Sequence, residues 1–363
     1  MKICFIGLGL IGGTLAKAIK QYHPDYYLEA FDPSKANTIK ASSQNVISKV
    51  LKSVVDFDKD TDIIFLCGPI DNNIQNLRLI KDYIGADTII TDVGSVKGTI
   101  IDEAKKLGLG ASFIGGHPMT GSEKTGFAAA DPAFLENAYY ILTKNDETPI
   151  YSMELMNELV ASIKAIPVLT DDIKHDYATA AISHVPHLVA ACLVNMVKHN
   201  DYDDGFMRMI AAGGFKDITR IAQSSPVMWE NICRNNTVNI SSLLDKYIDE
   251  LQTVNNELKS NNFEYINTLF DESGSYRQSI NDTTRGSFNT APKLYLNIRD
   301  EAGAIAHIAG ILAANDISIK NIGITHSRER NEGVLYVVFY DDMAYNTARK
   351  ILTKENEVII DVI

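Results

Sequence analysis

Short apolar runs alternate with helix-length amphipathic segments over the first third of the chain. Lys2–Ile6 and residues 26–31, 62–67, 88–93 and 112–115 each have the composition of a buried parallel strand, nearly all apolar and edged by glycine, proline or aspartate. A helix over 14–21 separates the first two, and another running to about residue 107 follows the fourth. From about residue 171 the pattern changes. Residues 176–196 are rich in Ala and Val over a length no strand reaches, which predicts helices broken or kinked near Pro186. Leu243, Leu244, Tyr247, Ile248 and Leu251 recur at helical spacing, predicting one long amphipathic helix over 241–270 that suits packing against a partner subunit or within the chain. Residues 271–290 lose this periodicity and gain Ser, Asn, Thr and Gly, the composition of a linker. After it come strands at 293–298, 317–324, 333–340 and 358–363, with helices from 304 to 313 and from 343 to 352, a βαββαβ unit. The fold class is therefore α/β: a Rossmann-type domain over 1–168, a helical domain over 169–280, a linker over 281–291 and a small ferredoxin-like domain over 292–363.

Composition narrows the partners. The chain has 363 residues, 45% hydrophobic and 22% charged, enough for two or three separate cores. A net charge of −12 opposes binding to nucleic acid or an anionic membrane, so an anionic substrate needs a local positive cluster. Cys4, Cys67, Cys192 and Cys233 are scattered without metal-ligand spacing, as expected of free thiols in a reducing cytoplasm. Met1-Lys2 leads straight into the first strand with no secretory leader, and no apolar run reaches the roughly eighteen residues that span a bilayer. The expectation is a cytoplasmic protein.

Gly7-Leu8-Gly9-Leu10-Ile11-Gly12 follows the first strand and opens the first helix, and Asp32 ends the second strand twenty residues later. That order is the dinucleotide-binding arrangement. The glycines let the backbone approach a pyrophosphate at a helix N-terminus, and the carboxylate accepts from ribose hydroxyls while repelling a 2′-phosphate, which favours NAD over NADP. Gly68-Pro69 and Gly94-Ser95 end later strands at the same carboxyl edge, where ligands bind; Ser95 is placed as the N-cap of the helix to 107, with room for a second role beside the nicotinamide. Gly115-Gly116-His117-Pro118-Met119-Thr120-Gly121-Ser122-Glu123-Lys124-Thr125-Gly126 has too much glycine and proline for a strand interior and is expected to be a polar loop at that edge. In the helical region Ser183 and His187 share a face with His184 nearby, and no carboxylate or thiolate completes a metal site around the two histidines. Asp217 and Arg220 are spaced to pair on a helix, and Lys216 and Arg220 to face one anion. Trp229, the single tryptophan, has the options of core, interface or pocket wall.

Together, the stretch Gly116 to Gly126, Ser183-His184-Val185-Pro186-His187, and Phe215-Lys216-Asp217-Ile218-Thr219-Arg220-Ile221-Ala222 resemble the prephenate dehydrogenase family, with the Rossmann start and Asp92-Val93-Gly94-Ser95-Val96-Lys97 extending the likeness over roughly residues 1–285. The resemblance implies NAD-dependent oxidative decarboxylation of prephenate to 4-hydroxyphenylpyruvate in tyrosine biosynthesis. It implies that His117 takes the proton of the C4 hydroxyl, assisted by Ser95, and that Arg220 holds the ring carboxylate. Ser183, His184 and His187 would reach the pyruvyl side chain. Glu123 would form an ionic network with Arg220 and Asp217, and Lys216 and Trp229 would contribute to the pocket, in one arrangement from the neighbouring subunit. The family pairs subunits through its helical domain, which implies a homodimer.

The C-terminal βαββαβ resembles an ACT domain, whose first strand-to-helix loop (Asp300, Ala302, Gly303, Ala304) and second strand (Asn321, Ile322) imply an amino-acid effector site. Ala302 stands where that family often has proline. Tyrosine, the end product, is the effector implied; a domain kept only for dimerisation is the other reading. Arogenate or cyclohexadienyl dehydrogenase activity is the nearest alternative function. A β-hydroxyacid dehydrogenase would be expected to carry a catalytic lysine where His184 and His187 lie, and a non-catalytic sensor of NAD and an amino acid completes the set.

Overall fold

The computed structural model describes residues 1–121, 124–283, 292–299, 302–328, 332–354 and 358–360. Glu123, Asp300 and most of the expected linker, 284–291, lie outside the described residues. The chain divides into two units, Met1–Asn255 and Asn256–Ile363.

The first unit is built on β1 (Lys2–Ile6), α1 (Leu10–Tyr22), β2 (Tyr27–Phe31), α2 (Lys35–Ser43), β3 (Lys49–Val50), β4 (Ile63–Leu66), α3 (Ile70–Ile80), β5 (Ile89–Asp92), α4 (Gly98–Lys106), β6 (Phe113–Pro118), β7 (Tyr139–Lys144), α5 (Ile150–Ser162) and β8 (Ile166–Asp171). These strands form one sheet in the order β3-β2-β1-β4-β5-β6-β7-β8. It is parallel from β3 to β6; β7 runs antiparallel to β6, and β8 parallel to β7. Alternate residues feed two cores. Ile3, Phe5, Ile63 and Phe65 pack on one face, and Cys4, Ile6, Ile64 and Leu66 on the other. A sheet covered on both sides explains why these strands are continuous apolar runs rather than alternating ones. Strand order reverses between β1 and β4, which opens a ligand crevice beyond their carboxyl ends. The strand β8 ends at Asp171, slightly past the boundary expected at 168, and β3, β7 and β8 had no clear signature.

The segment expected to be a polar loop begins as strand. Residues Gly115 to Pro118 belong to β6 and pair with Thr143, Leu142, Ile141 and Tyr140 of β7. Close approach explains the glycines: a Cβ on Gly116 would lie 2.5 Å from the Asp92 carbonyl, and one on Gly115 would strike Thr143 and Lys97. Glycine weakens a strand by entropy, yet here nothing larger fits between β5 and β7.

The helical part comprises α6 (Asp172–Thr179), a π turn (Ala180–His184), α7 (Val185–Asn200), α8 (Phe206–Ile210), α9 (Gly213–Thr219), a 3-10 turn (Arg220–Gln223), α10 (Pro226–Asn235) and α11 (Thr237–Lys259). The break expected near Pro186 is the π turn just before it. The proline itself follows in the first turn of α7, inside the continuous helix, where it cannot supply the N–H of a regular i→i−4 bond. Asp172–Asn200 forms one helix of 29 residues, long and apolar enough by length and composition to cross a membrane, contrary to the reading of its sequence. It carries His175, Asp176, His184 and His187, and α6 packs against α4 and β8.

The expected helix over 241–270 is two helices. In the second unit, α12 (Phe263–Thr283) starts after a turn in which Asn261 adopts a left-handed φ of 57°. Asparagine tolerates that conformation, so the amphipathic pattern runs across a real break. Helix α12 also takes in residues 271–283, the first part of the stretch whose composition reads as linker. The second unit continues with β9 (Lys293–Arg299), α13 (Ala304–Ala314), β10 (Ile319–Arg328), β11 (Glu332–Phe339), α14 (Asp342–Lys354) and β12 (Val358–Ile360). The sheet order is β10-β11-β9-β12, antiparallel throughout, and Ile308, Leu312, Ala348 and Leu352 of the two helices share a core with its strands. This is the βαββαβ, ferredoxin-like arrangement anticipated for the tail.

Candidate active site

The glycine loop forms a cradle. Gly7 has φ +110°, a conformation L side chains rarely adopt, and a Cβ on Gly12 would press into Gly7 and Cys67. Gly9 faces open space, with nothing within 4 Å of where a Cβ would stand. It caps α1, whose first turn carries no acidic residue and no side-chain cap, leaving N–H groups to receive a pyrophosphate. Asp32 accepts from Leu8 N at 2.5 Å and from Ser34 N at 2.7 Å, which ties the acid at the end of β2 to the glycine loop. Buried Asn73 accepts from Gly68 N at 3.0 Å and donates to the Leu66 and Gly68 carbonyls, holding the Gly68-Pro69 turn at the start of α3. These residues fit a dinucleotide.

Beneath the next loop lies an ion pair between Lys97 and Asp92, both fully buried. Asp92 accepts from Gly94 N at 2.9 Å and Gly116 N at 3.2 Å, and Lys97 Nζ donates to the Gly116 carbonyl at 2.8 Å. One pair thus tethers the Ser95 loop and the end of β6 that bears His117. Burial pulls the Lys97 ammonium below its ordinary range, and Asp92 and then Asp176 pull it back. Ser95 does not cap α4, which begins at Gly98. Its cap comes from another element: Asp176 of α6 accepts from Lys97 N and Gly98 N, each at 2.8 Å.

His117 is half-buried, and its Nδ1 lies 2.9 Å from Nε2 of His175. His175 Nδ1 lies 2.8 Å from Asp176 Oδ1. Burial holds the His117 ring well below the usual imidazole range, with His175 and Lys97 adding in the same direction, so it is neutral at physiological pH. The histidine and aspartate behind His117 escaped the sequence reading. They stand side by side at the start of the apolar stretch, and only their adjacency hints at them.

A second cluster stands on α7 and α10. The Trp229 ring stacks on His187, centroids 4.0 Å apart, and meets His184 edge-on at 6.0 Å. All three belong to one chain, so Trp229 needs no neighbouring subunit to reach the two histidines. His187 Nδ1 pairs with the Ser183 carbonyl at 2.8 Å, and the Ser183 side chain is half-buried. Asn236 donates to the Asp176 carbonyl at 2.8 Å and approaches His184 Nδ1 at 3.2 Å with the same nitrogen. His184 therefore accepts at Nδ1 and carries its hydrogen on Nε2. That Nε2 and Trp229 Nε1 are both buried with no partner among the described residues. Two unpartnered N–H donors against one stacked pair suit an acceptor oxygen. Lys216 and Asp217 are exposed on α9, and Arg220 opens the 3-10 turn after it, so the helix expected to carry both Asp217 and Arg220 ends between them. Both segments pack against α7.

Burial drives His184 down to about 4, against the pull of Asp176. The unfolded chain takes up this proton near pH 6.5 and the folded chain refuses it until about 4, so stability is complete above 6.5 and declines as pH falls through that window. We expect denaturant unfolding to show a loss of about 2 kcal/mol between pH 7 and 5 from this residue, with His117 adding to it. His184→Asn must flatten that slope; an unchanged slope rejects the assignment.

A sequence model of the prephenate dehydrogenase nucleotide-binding domain matches residues 15–169, and one of its dimerization domain matches residues 171–272. Prephenate dehydrogenase of Bacillus subtilis (strain 168) is 36% identical over 342 residues, 94% of this chain and 92% of that protein. The chain belongs to the prephenate dehydrogenase family. The enzyme of that name from Lactococcus lactis is 31% identical over 99% of both chains. Among solved structures, prephenate dehydrogenase from A. aeolicus in complex with hydroxyphenyl propionate and NAD+ superposes with a TM-score of 0.72 at 26% identity, covering 77% of this chain and 98% of that one. Synechocystis arogenate dehydrogenase gives 0.70 at 26%, covering 77% and 100%.

Proposed function

We propose that the protein is an NAD-dependent prephenate dehydrogenase, converting prephenate to 4-hydroxyphenylpyruvate in tyrosine biosynthesis. The observation that carries this is a neutral, half-buried imidazole, His117, at the carboxyl edge of a dinucleotide-binding sheet. Bound NAD supplies the hydride acceptor. His117 receives the C4 hydroxyl proton, and Ser95, tethered through Gly94 and Asp92, shares in orienting that hydroxyl. Loss of carbon dioxide then aromatises the ring. Arg220 offers a bidentate fork to the ring carboxylate, with Lys216 adding positive charge and Asp217 an opposing one. Ser183, His184, His187 and Trp229 receive the pyruvyl side chain.

Arogenate is the second reading, and the side-chain pocket argues against it. His184 Nε2–H and Trp229 Nε1–H are donors that pair with keto and carboxylate oxygens and oppose an ammonium. NADH formation with prephenate and with arogenate tests both. No turnover of prephenate with NAD ends the proposal, and a tenfold preference for arogenate replaces it with the alternative. Asp32→Ala should raise the NADP-to-NAD ratio of kcat/KM at least about tenfold, since one charge–charge contact of about 1.4 kcal/mol suffices for that factor.

Tyrosine is the proposed effector of the C-terminal domain. Gly303, at φ +97°, turns the chain from Ala302 into Ala304 and α13, while Asn321 and Ile322 lie on β10 next to a register shift. The same assay with added tyrosine tests that role. A homodimer is proposed from the dimerization-domain match and from apolar residues exposed on α11, including Val238, Ile248 and Leu251; light scattering on the eluting protein gives the mass.

A further inference from the structure

We propose that His175 is a positioning residue that sets the tautomer of His117, using the Asp176 carboxylate as its anchor, so that His117 presents an Nε2 lone pair to the substrate hydroxyl. This deepens the reading above and rests on it. The chain of hydrogen bonds has only one self-consistent direction for neutral rings. Asp176 Oδ1 and Oδ2 accept from the backbone N–H groups of Lys97 and Gly98, so both oxygens are acceptors, as in an ionised carboxylate. His175 Nδ1, 2.8 Å from Oδ1, must then carry the hydrogen. A neutral imidazole has one N–H, which leaves His175 Nε2 as a lone pair. His117 Nδ1, 2.9 Å away, carries the hydrogen that fills it. The remaining nitrogen of His117 is therefore the basic one. In the other tautomer an N–H would oppose the hydroxyl hydrogen, and no lone pair would stand ready to receive it.

The anchor is rigid. His175 and Asp176 are 1% and 6% exposed on α6, the Asp176 carbonyl accepts from Asn236, and Thr179 Oγ1 donates to the His175 carbonyl at 3.0 Å. The carboxylate cannot turn without releasing the first turn of α4. Orientation of a catalytic imidazole by a group on its far nitrogen is worth up to about 10⁴-fold in rate in serine-protease triads; here a second imidazole is interposed and transmits the same constraint.

Two substitutions separate tautomer control from packing. His175→Leu fills the space without an acceptor, whereas His175→Gln offers a carbonyl near the place of Nε2. We expect Leu to lower kcat at least about 100-fold with KM for prephenate within about threefold of normal, and Gln to restore kcat to within about tenfold of the unmodified enzyme. Wild-type kcat in the Leu variant, or equal losses in Leu and Gln, overturns the assignment. An independent measurement needs no variant to fold: ¹⁵N shifts of histidine-labelled unmodified protein at neutral pH. Hydrogen on Nδ1 of both His117 and His175 is expected, and His117 protonated at Nε2, or His175 protonated at both nitrogens, rejects the proposal. If the unmodified protein oxidises no prephenate, the functional reading fails by itself, and the nitrogen shifts still decide the tautomer.

Discussion

His117→Asn lowers kcat for prephenate oxidation by about 10³-fold while KM stays within a few-fold of the unmodified enzyme. The magnitude follows from the role: a positioned general base contributes roughly 10²–10⁴-fold, and Asn keeps a polar group of similar reach that has no basic nitrogen. KM is spared because the charges and donors proposed to hold the substrate stand on other elements, at Arg220, His184 and Trp229. The pH profile supplies a second reading. The proposed base His117 can take a proton only when deprotonated, and burial, with His175 and Lys97 adding to it, holds its pKa well below 6.5. The acid limb of kcat/KM therefore falls below pH 6.5 in the unmodified enzyme, and activity persists through mildly acidic conditions. In the Asn variant that limb disappears from the residual rate. A variant with normal kcat removes His117 from the chemistry, and an acid limb centred above 6.5 contradicts its burial.

Lys97→Met is expected to destabilise the protein by about 3–5 kcal/mol, the usual penalty for removing one partner of a fully buried pair. Asp92 would keep its bonds from Gly94 and Gly116 but lose its only ionic partner among the described residues, and the Gly116 carbonyl would lose the ammonium. Replacing both residues, Lys97→Met with Asp92→Asn, removes the stranded charge and should recover more than half of that loss. Activity should not recover with stability, because the tether common to the Ser95 loop and His117 is then gone. Chemical denaturation of the two single variants and the double variant gives the coupling. Additive losses, with no recovery in the double, would show that the pair does not behave as one unit.

How much of this was legible beforehand depended on whether a residue's role is written in its neighbours along the chain. Gly7 to Gly12 and Asp32 were legible because strand, turn, helix and acid follow one another locally. His117 was legible as chemistry and misplaced as structure. Its glycines suggested a loop, but they serve a strand squeezed between β5 and β7, a fact about neighbours distant in sequence. Lys97 looked like part of a motif, and nothing local reveals that a lysine is wholly enclosed. His175 carries no local signal because its partners are at positions 117 and 176, and only folding puts the first within reach. The two-helix break at Asn261 was hidden for the opposite reason: the apolar periodicity continued through a single left-handed residue.

Asp176 joins two tasks usually kept apart. Its oxygens close the start of α4, a helix of the nucleotide-binding region, and one of them also holds the ring that faces His117. In evolutionary terms, the two regions are not interchangeable modules. A lineage that traded its helical region for an unrelated one would keep the glycine loop and the histidine on β6, yet lose the ring hydrogen-bonded to that histidine. Recombination can shuffle the C-terminal βαββαβ unit without touching this turn, but a crossover anywhere between β6 and α6 has to bring His117, His175 and Asp176 from compatible parents.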